Sequence, residues 1–510
     1  MDLTAPATSR LWVVPAHEPT TLTDDVECDV AVVGAGITGL TTAVLLARAG
    51  LDVRVLEARS VGAGTTGGST AKVTVAQGLR FSTLRRNLGD GVLGDYTRAT
   101  LEGQEWVRDT CAQTGTDASV RDGVSYSTSA SGRRALQGEL DALRSVDVDA
   151  ELRDRVDLEL TSTGALVVPG QLQIDPGAYL GALTGLALAA GATLHTGTTV
   201  TSVGTGEPCV VRCAVTGVGA EFRTVRARHV VLATGIPPLD RAGFFARLEP
   251  QRSYCVALRV RGARPEGMYL SVDSPTRSLR TAGTDQLVVG GNGHVVGRAA
   301  GTTRNVEDLE RWAADHFDVV ETTHRWAAQD YATADALPYV GRLLPWSGNV
   351  MIATGFAKWG ITTGTAAGIA LAGEVTGDVP SWAGSWQPWR ADVRGQLPSV
   401  LRFNGAVAWH LGRGWAGALA TDAMSTVGEL SDGVGLVRRG KPTPEAVCQV
   451  DGVRHVVSAV CTHLGGIVTW NDAERSWDCP LHGSRFAPDG TRLEGPATRP
   501  LAVPSSESPS

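Results

Sequence analysis

Lysine and long apolar runs are scarce in this sequence of 510 residues. Of 46 basic residues only Lys72, Lys358 and Lys441 are lysines, and the net charge is −7 without a long run of one sign. This pattern does not indicate a surface for nucleic acid or anionic membranes. No apolar stretch reaches the roughly 18 residues that a spanning helix needs. The N-terminal residues combine no basic start with an apolar core, so we expect a cytoplasmic protein.

Cysteine is also sparse, because eight cysteines in a chain of this length do not make a disulfide framework. We therefore expect a few of them to be metal ligands. The length predicts about three domains or fewer, each with its own core. Arginine replaces lysine almost everywhere. The two lysines that fall in motifs, Lys72 and Lys358, therefore indicate positions where a compact ammonium is preferred to a guanidinium.

The stretch Cys28–Ala58 has the pattern of one complete β-turn-α-β unit. It begins with a short apolar run that is typical of a buried parallel strand. Gly34, Gly36 and Gly39 follow as Gly-x-Gly-x-x-Gly. The first glycine permits a tight turn, the second lets the backbone approach a pyrophosphate, and the third lets a helix lie close to the strand.

The second half of this unit supplies the other two features of a dinucleotide site. A helix over Ile37–Ala49 would direct its free N–H groups at the pyrophosphate. The next strand, Leu51–Leu56, ends in Glu57, which lies 23 residues after Gly34. A carboxylate there accepts hydrogen bonds from a ribose 2′-OH. Strand, turn, helix and acid together predict a bound dinucleotide.

Three later segments favour a flavin over a nicotinamide dinucleotide. The loop Gly62–Thr74 is rich in small residues, so a bulky planar group can lie against its backbone; the alternative is an ordinary flexible loop. A predicted strand ends in Thr234-Gly235, and the segment Gly355–Gly360 forms a turn before a small-residue helix. A nicotinamide-dependent dehydrogenase would not need the last two.

With these features in this order, the first 390 or so residues resemble the D-amino-acid-oxidase-like FAD-dependent oxidoreductases, which include glycine and sarcosine oxidases. The resemblance implies an FAD cofactor. It implies that FAD is bound by Gly34, Gly36, Gly39, Glu57, Thr66, Ser69, Thr70, Ala71, Lys72, Val200, Thr234, Gly235, Gly355, Lys358, Trp359, Gly360, Ile361 and Thr362. The small-residue loop contains no cysteine or histidine, so we expect the flavin to be bound without a covalent link.

Lys358 is a candidate catalytic residue on physical grounds. Reduced flavin carries negative charge near N1 and the C2 carbonyl, and an ammonium beside a helix N-terminus at Ile361 would stabilise that charge. The alternative is a solvated surface lysine. A second glycine pattern, Gly291-x-Gly293-x-x-x-Gly297, lacks a following helix, strand and acid, so we interpret it as a turn of the substrate domain.

A different motif lies near the C-terminus. Cys461-Thr-His463 is followed, after fifteen residues, by Cys479-Pro-Leu-His482. This pattern resembles Rieske [2Fe–2S] domains, in which two cysteines hold one iron and two histidines hold the other. A structural zinc site is the alternative, but its usual spacing pairs cysteine with cysteine, whereas here each cysteine has its own histidine. Gly495-Pro496-Ala497 resembles the proline loop that shields such a cluster.

The motif departs from the high-potential Rieske proteins of respiratory chains in two ways. Gly466 and Leu481 stand where those proteins carry a pair of disulfide-bonded cysteines, and Phe486 stands in place of a tyrosine that donates to sulfur. Ser484 remains as a donor. Fewer hydrogen bonds to the cluster should lower its potential. A ring-hydroxylating oxygenase would need a second iron site, but we interpret the remaining neighbouring pair, His316 and His324, as ordinary residues.

These signals predict an α/β fold: a Rossmann-like FAD-binding domain with an inserted α+β substrate domain, followed by a small all-β Rieske domain. We expect the oxidoreductase domain over residues 1–398, a linker over 399–428, the Rieske domain over 429–503 and a disordered tail over 504–510. Within the first domain, FAD binding is expected at about 28–95, 165–245 and 346–380, and the substrate cap at about 96–164 and 246–345.

The predicted function is an FAD-dependent oxidoreductase that takes a hydride from the C–H next to nitrogen in a small amine or amino acid. The electrons then pass singly through the [2Fe–2S] cluster to an acceptor, for which a protein is one candidate. Two alternatives stay open: an electron-transfer module reduced by a partner protein, and an O₂-using amine oxidase with a regulatory cluster. The candidate catalytic residues are Lys358, Lys72, Tyr339 and His294; Arg252, Tyr254 and Tyr331 lie in the same predicted cap.

Overall fold

The structure is a computed structural model that describes residues 9–17, 20–215, 222–238, 241–390, 393–421 and 430–504. Parts of the predicted N-terminal arm and linker, and the tail from residue 505, lie outside these ranges. The helices are α1 (Ile37–Arg48), α2 (Arg80–Thr114), α3 (Ala130–Arg144), α4 (Pro176–Ala189), α5 (Thr303–His316), α6 (Gly360–Thr376) and α7 (Val393–Ala420). Gly89 has a non-helical backbone and divides α2 into two parts.

The described residues form four β-sheets. The strands of the first half of the chain are β1 (Val26–Val33), β2 (Val53–Leu56), β3 (Lys72–Val73), β4 (Ala118–Ser127), β5 (Glu151–Arg153), β6 (Gly164–Ile174), β7 (Thr193–His195), β8 (Thr198–Val203), β9 (Cys209–Val215), β10 (Phe222–Gly235) and β11 (Leu248–Arg261). Those of the second half are β12 (Met268–Ser271), β13 (Arg277–Ala282), β14 (Gln286–Val295), β15 (Asp318–Thr333), β16 (Tyr339–Leu344), β17 (Ser347–Thr354), β18 (Gly435–Arg438), β19 (Glu445–Val450), β20 (Val453–Ser458), β21 (Thr469–Asn471), β22 (Ser476–Asp478), β23 (Arg485–Phe486) and β24 (Arg492–Glu494).

The first sheet is Rossmann-like. Its strand order is β16-β17-β10-β1-β2-β7, and every pair from β17 to β7 is parallel. Strands β8 and β9 extend it as an antiparallel ribbon from β10. Helix α1 packs against α4 and α6. The contact with α6 is close, because a Cβ on Gly368 would lie 2.8 Å from Thr41 Cβ. The carboxyl ends of the parallel strands therefore open onto one shared edge, where nucleotides bind in such folds.

The second sheet has nine strands and forms the substrate domain. Its order is β15-β11-β14-β13-β12-β4-β6-β3, with β5 paired to β6, and it mixes parallel and antiparallel pairs. Helix α5 packs on β11 and β14, and α3 on β4 and β6. Because the strands of this sheet come from segments between those of the first, the substrate domain is an insertion in the FAD-binding domain. The predicted fold class is confirmed.

The C-terminal unit is small and all-β. It consists of a three-stranded antiparallel sheet, β18-β19-β20, and a four-stranded antiparallel sheet, β21-β22-β23-β24. Its core includes Trp477, Phe486 and both cysteines of the predicted cluster motif. Helix α7 leads into it from the first unit and adds Ala418 to the same core. Much of the segment that the sequence presents only as a linker is therefore helical, with Phe403 and Ala418 buried and most of its other side chains at least partly exposed.

The C-terminal unit lies against the first unit, and glycines allow the close approach. A Cβ on Gly297, after β14, would lie 2.7 Å from Pro480 N. A Cβ on Gly483 would lie 2.5 Å from Pro250 Cβ in β11. Thr302 N donates to Asp472 Oδ1 at 2.7 Å, and Arg298 Nε donates to Pro480 O at 3.0 Å. Across the described ranges, none of the helices is both long and apolar enough to span a membrane.

Candidate functional site

The turn after β1 has the geometry that its glycine pattern predicts. Gly34 has φ +105°, and a Cβ there would lie 2.6 Å from Ala233 O. A Cβ on Gly39 would lie 2.0 Å from Gly34 O, so this position needs glycine for packing. Gly36 differs, because its Cβ would meet only Thr66 Oγ1, at 3.3 Å. The space beside Gly36 is therefore open on the side of the cavity that it lines.

Glu57 is held in place at the end of β2 by two backbone donors. Ala35 N donates to one carboxylate oxygen at 2.9 Å, and Arg59 N donates to the other at 2.9 Å. The Ala35 bond joins the acid directly to the glycine turn. Glu57 lines the same cavity as Gly36, on the side that also carries Val200. This arrangement places an acceptor for ribose hydroxyls at the edge of the turn.

The first cavity, of about 190 Å³, runs along the carboxyl ends of the parallel strands. The residues before α1 and α6, Gly36 and Trp359, give no side-chain cap, although Ile37 N of α1 donates to Thr66 Oγ1 at 3.2 Å. The N-terminus of each helix lines the cavity, so the positive ends of both helix dipoles face it. Of the predicted cofactor residues, the cavity brings together Gly34, Gly36, Glu57, Thr66, Ser69, Val200, Thr234, Gly235, Lys358, Gly360 and Ile361. Two helix N-termini, an anchored acid and an open glycine turn fit a dinucleotide that carries anionic phosphates.

Seven predicted cofactor residues lie elsewhere. Thr70, Lys72 and Trp359 line a second, adjacent cavity. Gly39, Ala71, Gly355 and Thr362 line neither cavity. Gly355, with φ +83°, packs where a Cβ would lie 2.2 Å from Thr333 Cγ2, and Thr362 Oγ1 accepts from Thr74 N at 3.2 Å. These four residues shape the backbone around the cavity, and direct contact with FAD stays a prediction for the whole set.

Lys358 lies in a strained turn between the two cavities. Ala357 and Lys358 both have positive φ, +48° and +77°, which non-glycine residues rarely adopt. Lys358 N donates to Asp330 Oδ2 at 2.6 Å, which fixes the turn. Burial lowers the pKa of Lys358, and the Asp330 carboxylate opposes that shift. Lys358 lines both cavities, so one ammonium faces both the predicted flavin site and its neighbour.

The second cavity, of about 140 Å³, adjoins the first and shares Thr65, Ser69, Asp330 and Lys358 with it. Lys72 lies in its wall and is buried; its Nζ donates to Tyr269 O at 2.9 Å and to Ser278 Oγ. Burial, with a smaller contribution from Arg280, lowers the pKa of Lys72 to about 7. A lysine that exchanges its proton near neutral pH is a candidate general base.

Two predicted catalytic residues are not at the cavities. Tyr339 is fully buried on β16, with its ring between the guanidinium groups of Arg247 and Arg390 at 4.2 and 4.3 Å, and its hydroxyl bonds Gln396 Oε1 at 3.1 Å. It supports the fold at this position. His294 lies behind the second cavity, where Nε2 is 3.0 Å from the hydroxyl of Tyr254, which lines that cavity. His294 therefore acts on the cavity only through Tyr254.

Arg252 belongs to the predicted cap, but its side chain contacts the C-terminal unit and not a cavity. Its guanidinium donates to both carboxylate oxygens of Glu474 and, at 2.7 Å, to Glu494 Oε1. Both glutamates belong to the C-terminal unit, and Arg485 of that unit donates to Glu494 Oε1 at 2.7 Å. The side chains are almost fully buried. Arg252 therefore joins the two units and does not face either cavity.

The predicted cluster ligands lie together at one end of the C-terminal unit. The rings of His463 and His482 are 5.1 Å apart, centre to centre. Cys461 and Cys479 are hydrogen-bonded through their sulfurs, and this bond is the main cause of the lowered pKa of Cys461. N–H groups of the two loops also point at the sulfurs, as does the hydroxyl of Ser484. Such donors stabilise thiolates, the form that binds iron.

This donor set fits a two-iron cluster. A Rieske cluster needs two protein ligands on each iron. The paired sulfurs and paired imidazoles match that division. His316 and His324 contact Trp312 and Thr323 respectively.

The two predicted departures from high-potential Rieske proteins are visible in the loops that carry the cluster ligands. A Cβ on Gly466 would lie 2.6 Å from the Leu481 side chain, so these two residues face each other without a disulfide. Phe486 is fully buried and offers no donor. Ser484 Oγ accepts from Ala497 N at 3.1 Å, which ties the proline loop to the ligand loop.

One segment and two residues at this site are not predicted by the sequence. Arg492–Gly495, from the C-terminal unit, lines the first cavity beside the glycine turn. Gln329 also lines it, and its Nε2 donates at 2.8 Å to Gly483 O, the carbonyl after ligand His482. Phe245 packs against His463 and His482, with ring centres 5.7 and 5.0 Å away. All three depend on contacts between the units, for which the sequence carries no local signal.

Comparison with known proteins agrees with the geometry. The DAO family, described as FAD dependent oxidoreductase, matches residues 29–373. The chain belongs to this family. A Rieske [2Fe-2S] domain matches residues 423–505 of this FAD-dependent oxidoreductase. The predictions of family, enzyme class and both cofactors, FAD and a [2Fe–2S] cluster, are confirmed.

Relatives show the same combination and the same folds. The oxidoreductase is 30% identical over 486 residues, covering 94% of each chain, to the Bacillus subtilis protein YhfW, whose name describes it as a Rieske 2Fe-2S iron-sulfur protein. Glycine oxidase from Geobacillus kaustophilus has a TM-score of 0.59 at 19% identity, over 71% of this chain and 99% of that one. L-amino acid deaminase from Proteus myxofaciens has a TM-score of 0.59 at 18% identity, over 76% and 98%.

Proposed function

We propose that this oxidoreductase oxidises a small amine or amino acid at the carbon next to nitrogen and delivers the electrons singly, through its Rieske cluster, to an external acceptor. The observation that carries the proposal is the arrangement of the two cavities. They meet at Lys358 and Asp330, and a segment of the Rieske unit completes the wall of the first. Substrate, flavin and cluster would therefore occupy neighbouring positions in one chain.

The second cavity supports an amine as the substrate. An amine gives up a hydride from its neighbouring carbon only after its nitrogen has lost the extra proton, since the lone pair must stabilise the developing positive charge. Lys72 Nζ, with a pKa of about 7, is neutral in about half of the molecules at neutral pH and can accept that proton. The cavity also contains Ser253, whose hydroxyl can orient a polar substrate.

The first cavity supports FAD as the immediate acceptor. When bound, FAD supplies a hydride acceptor and the cluster supplies a one-electron carrier. Lys358 and the uncapped N-terminus of α6 at Gly360 would oppose negative charge on the cofactor, while Glu57 would hold a ribose. Gln329 links this cavity to Gly483, beside ligand His482, by one hydrogen bond of 2.8 Å. This link supports an electron route from one cofactor site to the other.

The first experiment adds a panel of amines and amino acids to the purified protein without oxygen. We expect a small amine or amino acid to bleach the flavin first and then to produce the rhombic electron paramagnetic resonance signal of a reduced Rieske cluster. Bleaching only by a reduced partner protein would replace the proposal with an electron-transfer module. Bleaching without a cluster signal, followed by rapid reoxidation in air, would favour an oxidase.

A double variant tests the role of the cluster directly. His463→Ala with His482→Ala removes both imidazole ligands and should leave flavin bleaching by substrate intact, while reduction of a one-electron dye falls to a small fraction of the wild-type rate. His316→Ala with His324→Ala, which changes two histidines outside the ligand motif, is the matched control. Equal dye reduction by wild type and the ligand variant would mean that the cluster is not the outlet.

A further inference from the structure

The wall of the FAD cavity is built from both units of the chain. Gly34, Gly36 and Glu57 come from the Rossmann-like sheet, whereas Arg492, Leu493, Glu494 and Gly495 come from the Rieske unit. This second group is not at the cluster ligands themselves but in β24 and the start of the proline loop. A segment of the Rieske unit therefore covers the cavity that holds FAD.

Arg492 is held by its own loop in an orientation that leaves one donor open. Its Nε donates to Ala497 O, and its Nη2 donates to Gly495 O at 3.2 Å. Within the described ranges Nη1 has no hydrogen-bond partner, and the residue lines the cavity. A guanidinium that is fixed through two nitrogens and open at the third loses little side-chain entropy when it binds an anion.

The charges around Arg492 favour an anion in the cavity. Burial lowers the pKa of Arg492, and nearby Arg59, which also lines the cavity, lowers it further. The nearest carboxylates are already engaged: Glu57 accepts from two backbone N–H groups, and Glu494 accepts from Arg252 and Arg485. The positive charges of Arg492 and Arg59 therefore both face the first cavity, and a bound anion would offset the repulsion between them.

The segment is fixed in this position by the contact between units. Glu494 follows Arg492 by two residues, and its carboxylate receives the guanidinium groups of Arg252 and Arg485. A Cβ on Gly495 would lie 2.5 Å from Ser484 Cα, so the proline loop lies directly against the ligand loop. The position of Arg492 therefore depends on both the docked interface and the folded cluster loops.

We propose that the Rieske unit completes the FAD site and that Arg492 binds the diphosphate of FAD. The diphosphate is the anionic group of oxidised FAD, and Arg492 lies near Arg59, Tyr331 and Glu57 in the wall of the first cavity, within reach of a group bound beside the glycine turn. FAD can then leave only when the segment 492–495 moves away. The Rieske unit acts as a clamp on the cofactor in addition to carrying electrons.

The test measures FAD release from the holoprotein after dilution, by the rise in free-flavin fluorescence. Arg492→Met should release FAD about tenfold faster than wild type, or more, because a charge-assisted hydrogen bond is lost. Arg492→Lys should fall between the two. Arg454→Met, an exposed arginine on β20 of the same unit, is the matched control and should release FAD at the wild-type rate. The visible and paramagnetic signals of the cluster report whether each variant has folded.

Two results would overturn the proposal. One is an Arg492→Met protein with an intact cluster and an unchanged release rate. The other is an unchanged release rate combined with a shifted flavin midpoint potential, which would place Arg492 at the flavin ring. Neither measurement requires a substrate, so its outcome is independent of whether the chain oxidises amines. Release from wild type should also accelerate as salt is added, and that dependence should be weaker in Arg492→Met.

Discussion

Lys72 and Lys358, two of the three lysines of the chain, both line the second cavity, which puts two ammonium groups in its wall. Lys72 is held by a carbonyl and a hydroxyl, without a carboxylate partner among the described residues. Lys358 is opposed by Asp330. From these surroundings we expect different tasks for the two lysines: proton exchange for Lys72 and charge stabilisation for Lys358.

The lowered pKa of Lys72 predicts a specific dependence of stability on pH. Between about 7 and 10.5 the unfolded chain holds a proton on Lys72 that the folded chain has released, so stability rises with pH in this window. The cost of burying the ammonium is present in full below about pH 7. Lys72→Met should therefore be most stabilised relative to wild type at low pH. This advantage should shrink by up to about 1.4 kcal/mol per pH unit above pH 7.

Denaturant unfolding of both proteins from pH 6 to pH 9 checks this expectation, with the exposed Lys441→Met as control. Parallel curves for wild type and Lys72→Met would show that Lys72 keeps an ordinary pKa. The rate of flavin reduction by substrate should rise through about pH 7 in wild type and lose that step in Lys72→Met.

Lys358→Met should lower the flavin midpoint potential while FAD stays bound. The ammonium stabilises the negatively charged reduced flavin more than the neutral oxidised form, so removing it makes reduction harder. The potentials of the variant, of wild type and of Lys441→Met are compared by anaerobic reductive titration. An unchanged potential in Lys358→Met would show that this lysine does not interact with the flavin.

Gly36→Val should abolish FAD binding without unfolding the chain. Gly36 has φ −87°, which any residue adopts, and its Cβ would meet only a hydroxyl at 3.3 Å. The two methyl groups would instead occupy the space for the pyrophosphate. Purified variant should carry the cluster but no flavin absorbance, while Gly138→Val, at an exposed site on α3, should keep both. A flavin-replete Gly36→Val protein would exclude this turn as the pyrophosphate site.

At the scale of elements, the sequence predicts best the segments whose signals are local. The helix α1 and the strands on either side of it are set by glycines and apolar residues within one short stretch, and they form as predicted. Helix α2 begins at Arg80, within a stretch where the sequence predicts no helix start. The N–H groups of Phe81 and Ser82 donate to Glu139, at 2.9 and 2.8 Å. Because the capping acid belongs to α3, the sequence near Arg80 carries no start signal.

The same distinction between local and long-range signals applies to the residues of the candidate site. The cluster ligands and the glycine turn are recognisable because their spacing along the chain is the signal. The sequence marks Tyr339 as a candidate catalytic residue only by its residue type. The packing of Arg247 and Arg390 against its ring shows that it supports the fold. The sequence places Arg252 in the cap but gives no sign of its partners, Glu474 and Glu494, which lie more than two hundred residues away. Contacts of that range leave no pattern in a single sequence.

The turn after β14 gives a prediction at this scale. A side chain at Gly297 would meet the backbone of the ligand loop, 2.7 Å from Pro480 N, so Gly297→Val should displace the Rieske unit from the substrate sheet. We expect an intact cluster signal and faster release of FAD, and in the protein that keeps FAD we expect normal flavin bleaching but slower appearance of the reduced cluster. Gly283→Val is the matched control, because its φ of +55° brings similar backbone strain with open space beside it. Equal rates in the two variants would show that this contact does not position the cluster.

At the scale of the whole molecule, the two units are joined by buried charges. Arg252 from the nine-stranded sheet meets Glu474 and Glu494 from the Rieske unit, with Arg485 beside them. A buried group of this kind is a weak source of net stability, but removing one member leaves its partners without compensation. We therefore expect this group of buried charges to determine how the two units dock.

Arg252→Met should separate the unfolding of the two units. In wild type we expect flavin release and loss of the cluster's visible circular dichroism to occur in one thermal transition. Removing Arg252 leaves Glu474 and Glu494 with one arginine and destabilises the docked state by about 3–5 kcal/mol. The flavin signal should then be lost at a lower temperature than the cluster signal. Adding Glu474→Gln should raise the temperature of flavin loss part of the way back to the wild-type value. A single, unshifted transition in Arg252→Met would contradict this role.

The two imidazole ligands, both of which contact Phe245, differ in their exposure. His482 is buried, and the residue after it accepts the hydrogen bond from Gln329, so this ligand faces inward to the flavin. His463 is only partly covered, and its neighbour Leu464 is 44% exposed. If electrons pass through the cluster as proposed, we expect them to enter on the side of His482 and to leave on the side of His463, where an acceptor could approach at Leu464 without contacting the flavin site.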